Sequence, residues 1–165
     1  MSWLSKILNY VPADEMKGIS ISGNSFWEVS SPKAAPQFFR ALLDLMPEGS
    51  ILYLEGQPVS EVRNFLQQRN PDRTTKVAMG TIWPRPEYYH IEITADNIEA
   101  LAQLTEKLAI PEVLFHLHIY KNGEVLLEWH DAFDNPMLIS KMIPEEKIQN
   151  FCVKLGVQHK RCDPK

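Results

Sequence analysis

Apolar and polar residues fall into two rhythms along this chain. A helical one runs through SPKAAPQFFRALLDLMPEG, where Phe38, Phe39, Leu42, Leu45 and Met46 recur at i, i+1, i+4, i+7 and i+8 between Pro36 and Pro47. The same spacing predicts a helix capped by Ser60, carrying Val62, Phe65 and Leu66 and stopping at Asn70-Pro71. Another opens at Asp96 and Glu99, a capping-box pair, with Ile98, Leu101, Leu104 or Thr105, and Leu108 as its stripe, ended by Pro111. A last one begins at Pro144 and presents Ile148, Phe151, Cys152 and Leu155 before Gly156. Trp3, Leu4, Ile7 and Leu8 suggest a short amphipathic helix at the N-terminus, cut off by Pro12.

The second rhythm has period two. The run at 51–54 in SILYLEG is apolar throughout, which suits a central strand buried on both faces. KVAMGTIW (76–83) and EYYHIEIT (87–94) read as a hairpin around Pro84-Arg85-Pro86. Strands at 113–120 and 124–131 flank Asn122-Gly123, a strong hairpin signal, and a further strand is expected at 137–143.

The expected class is therefore α+β with a mainly antiparallel sheet. Residues 50–120 follow the βαββαβ order of a ferredoxin-like sandwich, with the four strands side by side as fourth, first, third, second. One or two more strands and the C-terminal helix extend this unit, and residues 1–49 add a helical and strand layer. Residues 1–160 are read as one globular domain and 161–165 as a flexible tail.

Hairpin closure decides which side chains share a face. A two-residue loop would pair His118 with Leu127 and His116 with Trp129. A three-residue loop, Lys121-Asn122-Gly123, with Gly123 in a bulge, pairs Tyr120 with Glu124 and gathers Phe115, Leu117, Ile119, Val125, Leu127 and Trp129 on one side. The sequence favours the second, which sets His116 opposite Glu128. The polar side then carries His116, His118, Tyr120, Glu124, Glu128 and His130, joined from the strand at 87–94 by Tyr88, His90 and Glu92.

Composition narrows what that face does. With 17 basic and 21 acidic side chains the 165-residue chain is mildly acidic, and residues 84–143 hold 4 basic against 10 acidic, a net of −6. That disfavours nucleic acid and suits a basic or neutral protein partner. No apolar run approaches a membrane span, and two cysteines without CxxC fit a reduced, cytoplasmic setting. No glycine-rich phosphate loop or nucleophile elbow occurs, DAFDNP reads as a turn, and no cofactor is called for.

The leading expectation is a non-enzymatic binding or inhibitor module, of the size and charge of immunity-type proteins. It would dock a partner through Tyr88, His90, Glu92, His116, His118, Tyr120, Glu124, Glu128 and His130. The alternative is a small metal-dependent or acid–base enzyme using His116, His130 and Glu128. Both assume an open face. If residues 1–49 fold over the sheet instead, the histidines become a satisfied internal network and function moves to loops such as 83–88 or the polar tail.

Overall fold

The computed structural model describes residues 9–21, 25–71 and 74–163. The helix expected at residues 3–8 lies outside them. Among the described residues there are seven strands and four α-helices in the order β1 (Phe26–Val29), α1 (Ala35–Leu45), β2 (Ile51–Gly56), α2 (Ser60–Arg69), β3 (Glu87–Glu92), α3 (Ala95–Thr105), β4 (His116–Lys121), β5 (Glu124–Trp129), β6 (Met137–Ser140), α4 (Glu145–Leu155) and β7 (His159–Cys162). None of these helices is long and apolar enough to cross a membrane.

The four helices lie within the segments the apolar stripes mark, but Ser60 is the first residue of α2 and not its cap, and α3 ends at Thr105, leaving Leu108 outside it and Pro111 in a separate 3-10 turn over Ile110–Glu112. The caps differ in detail: Thr94, not Asp96, caps α3 through the Asn97 amide, and Gly156 ends α4 in the left-handed region at φ 65°. α1 packs on α3 and α4. Phe38 and Phe39 are fully buried there, with the Phe38 ring 5.0 Å from Trp129.

The strands form one antiparallel sheet in the order β3-β2-β4-β5-β6-β1-β7. The α+β class therefore holds, and β2 is buried at all six positions, although it stands next to the edge strand β3 and not at the centre of the sheet. The complete ferredoxin-like order does not. β3, β2, β4 and β5 are neighbours as that unit requires, but 76–83 contributes only an isolated bridge, Val77 to Ile19. The hairpin expected between 76–83 and 87–94 is absent, and Asn70 Oδ1 instead accepts the His90 amide at the outer side of β3. Residues 26–45 supply a strand and a helix to the layers already present. Arg161 and Cys162, read from sequence as the start of a flexible tail, belong to β7, which pairs with β1 over His159–Cys162.

Helices cover one face of the sheet. The other is crossed by segments 9–21 and 74–83, which bond to each other: Ile19 N–H donates to Lys76 O at 2.9 Å, Ala78 N–H to Ile19 O at 3.1 Å, and Val11 N–H to Ile82 O at 3.0 Å. This double strap buries a second, smaller cluster in which Ile21 and Val77 meet Ile51, Tyr53, Tyr120 and Val125. The polar face is covered, not open.

Candidate functional site

The β4–β5 hairpin places the histidines, and its register differs from the expected one. Asn122 (φ 50°) and Gly123 (φ 80°) make a two-residue turn with Lys121 opposite Glu124. Tyr120 then faces Val125 while Ile119 faces Leu127, so Leu126 is an extra, bulged residue. The bulge sends both Leu126 and Leu127 into the helix-side core, at 3% and 0% exposure, and leaves Val125 on the strap side. A three-residue loop would have stranded Leu126 among polar groups. The expected apolar side is kept only in part: Leu117, Ile119, Leu127 and Trp129 share the helix-side core, Leu126 joins them and Val125 leaves, and the bulge lies within the strand and not at Gly123.

The shift puts His118, not His116, opposite Glu128. His116 lies across from Glu55 of β2 instead. Its Nδ1 accepts the Asp131 amide at 2.9 Å, so the proton sits on Nε2, which donates to Thr81 Oγ1 at 3.0 Å. Burial lowers the His116 pKa, a shift partly offset by the Glu55 carboxylate.

Glu55 is fully buried and held by three donors: Thr81 N–H at 2.6 Å, Gly80 N–H at 3.1 Å and Tyr53 O–H at 3.0 Å. Gly80 is needed for this approach, because a Cβ there would stand 2.6 Å from the His116 ring. Glu128 does the same for the other strap segment. Its Oε2 accepts the Ile21 amide at 2.7 Å and its Oε1 meets His130 Nε2 at 2.9 Å. Burial works to raise the Glu128 pKa, but those two hydrogen bonds and the nearby imidazoles bring it below the usual value. His130, bonded to Glu128, is shifted upward. His118 is pushed down to about 3, chiefly by burial, with His130 adding to the effect.

The nine residues expected to share one docking surface are thus divided. His90, His116, His118, Tyr120 and Glu128 are buried. His90 lies two strands from His118, with Tyr53 between them on β2, and its Nδ1 meets Tyr120 Oη at 2.8 Å. Tyr88 is 52% exposed and His130 half-buried, both toward one end of the sheet. Glu92 and Glu124 are exposed toward the other end, near the Asn122-Gly123 turn. The proposed ligand set also changes: His116 has both ring nitrogens engaged, while His118, Glu128 and His130 can each direct one donor atom to within 4.8 Å of the others.

Tyr53, Glu55, Gly80 and Thr81 were not singled out from sequence. The signal for Glu55 is a carboxylate inside a strand that reads as buried on both faces. Cys152 is a core thiol, raised to about 11 by burial, and Cys152 and Cys162 are both free. DAFDNP is a turn in which the Asn135 carbonyl accepts Trp129 Nε1–H at 2.6 Å.

Two hollows adjoin the network. A cavity of about 310 Å³ lies between strap and sheet beside Tyr53, Tyr88 and His90. On the other side of Glu55 a shallow groove is lined by Tyr10, Gly80, Thr81, Ile82, Trp83, His116, His130 and Asp131. Ile82 and Trp83 are 52% and 59% exposed there, and the Tyr10 ring stands 6.4 Å from that of Trp83. Searches of protein-family models, curated proteins and solved structures found no match to this chain.

Proposed function

We propose that this chain is a non-enzymatic binding module of immunity or inhibitor type, docking a protein partner on the outer side of the strap. The observation that carries this reading is the division of labour between the two sides of segment 74–83. Its inner side is spent on anchoring, with Glu55 and His116 bonded to strap atoms. Its outer side presents Ile82 and Trp83 to solvent beside Tyr10. Exposed Trp and Tyr on a rigidly held backbone are the residue types that concentrate binding energy at protein interfaces.

The groove is shallow and rimmed by Asp131, whose side chain is 63% exposed. Exposed Tyr10, Ile82 and Trp83 beside the Asp131 carboxylate suit a neutral or basic protein surface better than a small substrate. The enzyme reading has less support, because the carboxylates that would act as base are already accepting hydrogen bonds: three on Glu55, two on Glu128.

Affinity capture with wild type, an Ile82→Ser/Trp83→Ala variant and a Met142→Ala control tests the reading. Met142 is 62% exposed, just past the end of β6. A partner retained by wild type and the control but lost by the strap variant supports it. A partner held equally by all three rejects this surface.

A further inference from the structure

The polar groups beneath the strap form a satisfied network with one exception. His118 Nε2 is buried and has no hydrogen-bond partner among the described residues, and the residue as a whole is 1% exposed. Unpaired buried polar atoms are rare in folded proteins and call for a partner. The groups around this atom are metal donors. Glu128 is its direct cross-strand neighbour, and the His130 ring lies 4.9 Å from the His118 ring, centroid to centroid.

We propose that His118, Glu128 and His130 bind one divalent transition-metal ion of the zinc class. Two imidazoles and a carboxylate are the borderline donor set such an ion selects, whereas Ca²⁺ and Mg²⁺ require oxygen ligands. Tetrahedral coordination at about 2.0–2.1 Å places donors roughly 3.3 Å apart. The present limit of 4.8 Å therefore needs only a modest closure, and Glu128 Oε1 and His130 Nε2 are already 2.9 Å apart.

The freedom to close lies in His130. It follows the last residue of β5 and is half-buried, while His118 is buried on β4 against the Tyr53 ring. The ion takes the place of the hydrogen between Glu128 and His130. The other carboxylate oxygen keeps the Ile21 amide, an outer hydrogen bond of the kind that orients metal-bound carboxylates. His130 also lines the groove, so the site has a side open to an entering ion. The inference goes beyond the docking reading and does not depend on it.

The full chain, stripped with a chelator, is titrated with Co²⁺ as an optical probe and with Zn²⁺ by calorimetry. Wild type is compared with His118→Gln, His130→Ala and a His159→Ala control on β7. The expected result is one ion per chain, the visible spectrum of four-coordinate Co²⁺, and at least tenfold weaker binding in His118→Gln and His130→Ala but not in His159→Ala. Circular dichroism in chelator checks each fold; if His118→Gln is misfolded, the half-buried His130 position decides. Absence of stoichiometric binding by wild type, binding that survives His130→Ala, or binding lost with His159→Ala overturns the proposal.

Discussion

Thr81 donates its backbone N–H to Glu55 Oε1 at 2.6 Å, so a fully buried carboxylate on β2 fastens a segment 26 residues further along the chain. With the Gly80 amide on the other oxygen, one side chain replaces the ladder that 76–83 would have made as a strand. Glu55→Ala leaves two strap amides and the Tyr53 hydroxyl without their acceptor. Gly80 and Thr81 are only half-buried, so at the lower end of about 1–3 kcal/mol per unsatisfied group the three donors together give an expected loss of roughly 3 kcal/mol in denaturant unfolding. Hydrogen exchange at Gly80 and Thr81 should accelerate at the same time. A change below about 1 kcal/mol would show that the strap is held by other contacts.

Gly80→Ala tests the closeness of strap and sheet from the other side. The added Cβ would meet three atoms of the His116 ring at 2.6–2.8 Å, and that ring is tied to Asp131 and Thr81. Overpacking of this kind costs about 1–3 kcal/mol. The His116 imidazole resonances should shift in the variant, since the ring must turn or the strap must lift.

Gly123→Ala separates the hairpin turn from the strap. A Cβ at Gly123 meets no atom within 4 Å, so the cost arises from φ 80° alone. An L-residue in that region costs roughly 1–2 kcal/mol. Thermal unfolding should register this loss while exchange at Gly80 and Thr81 stays unchanged. A strap that loosens as well would mean that turn and strap are coupled.

In metal-free protein, the pKa values of His118 and His130 should be displaced in opposite directions from that of a free imidazole. Burial holds His118 at about 3, against about 6.5 for an unfolded imidazole. Below pH ~6.5 the unfolded chain binds a proton that folded His118 refuses, so this group lowers stability as pH falls, by at most ~1.4 kcal/mol per unit. The bond to Glu128 raises His130, whose contribution is complete below pH ~6.5 and is lost as pH rises through its folded pKa. NMR titration should place the His130 midpoint above ~6.5 and leave His118 unprotonated at pH ~5. A His118 midpoint near 6.5 would contradict its burial.

How far the site was legible is clearest in the β4–β5 hairpin. Alternation alone put His116, His118, Glu128 and His130 on one side of the sheet, and that side is where they lie. The pairing of His118 with Glu128 was not legible, because it turns on the bulge at Leu126. That bulge depends on whether Leu126 or Val125 fills the helix-side core, which is a matter of space among side chains from other elements. Likewise, the residues of 76–83 are suitable for a strand, and only the donors they offer to Glu55 and to segment 16–19 take them out of the sheet.

The sequence by itself determined that there are helices within 35–46, 60–70, 95–110 and 144–156, a strand buried on both faces at 51–54 and a two-faced hairpin. Those features follow from residue spacing and from proline and glycine acting within a turn or two of the chain. The tertiary structure decided the register, the covering of the polar face and the unpaired His118 nitrogen. The physical reason is range. Glu128 bonds to Ile21 across 107 residues and Asp131 to His116 across 15, and such partners leave no local periodicity to read.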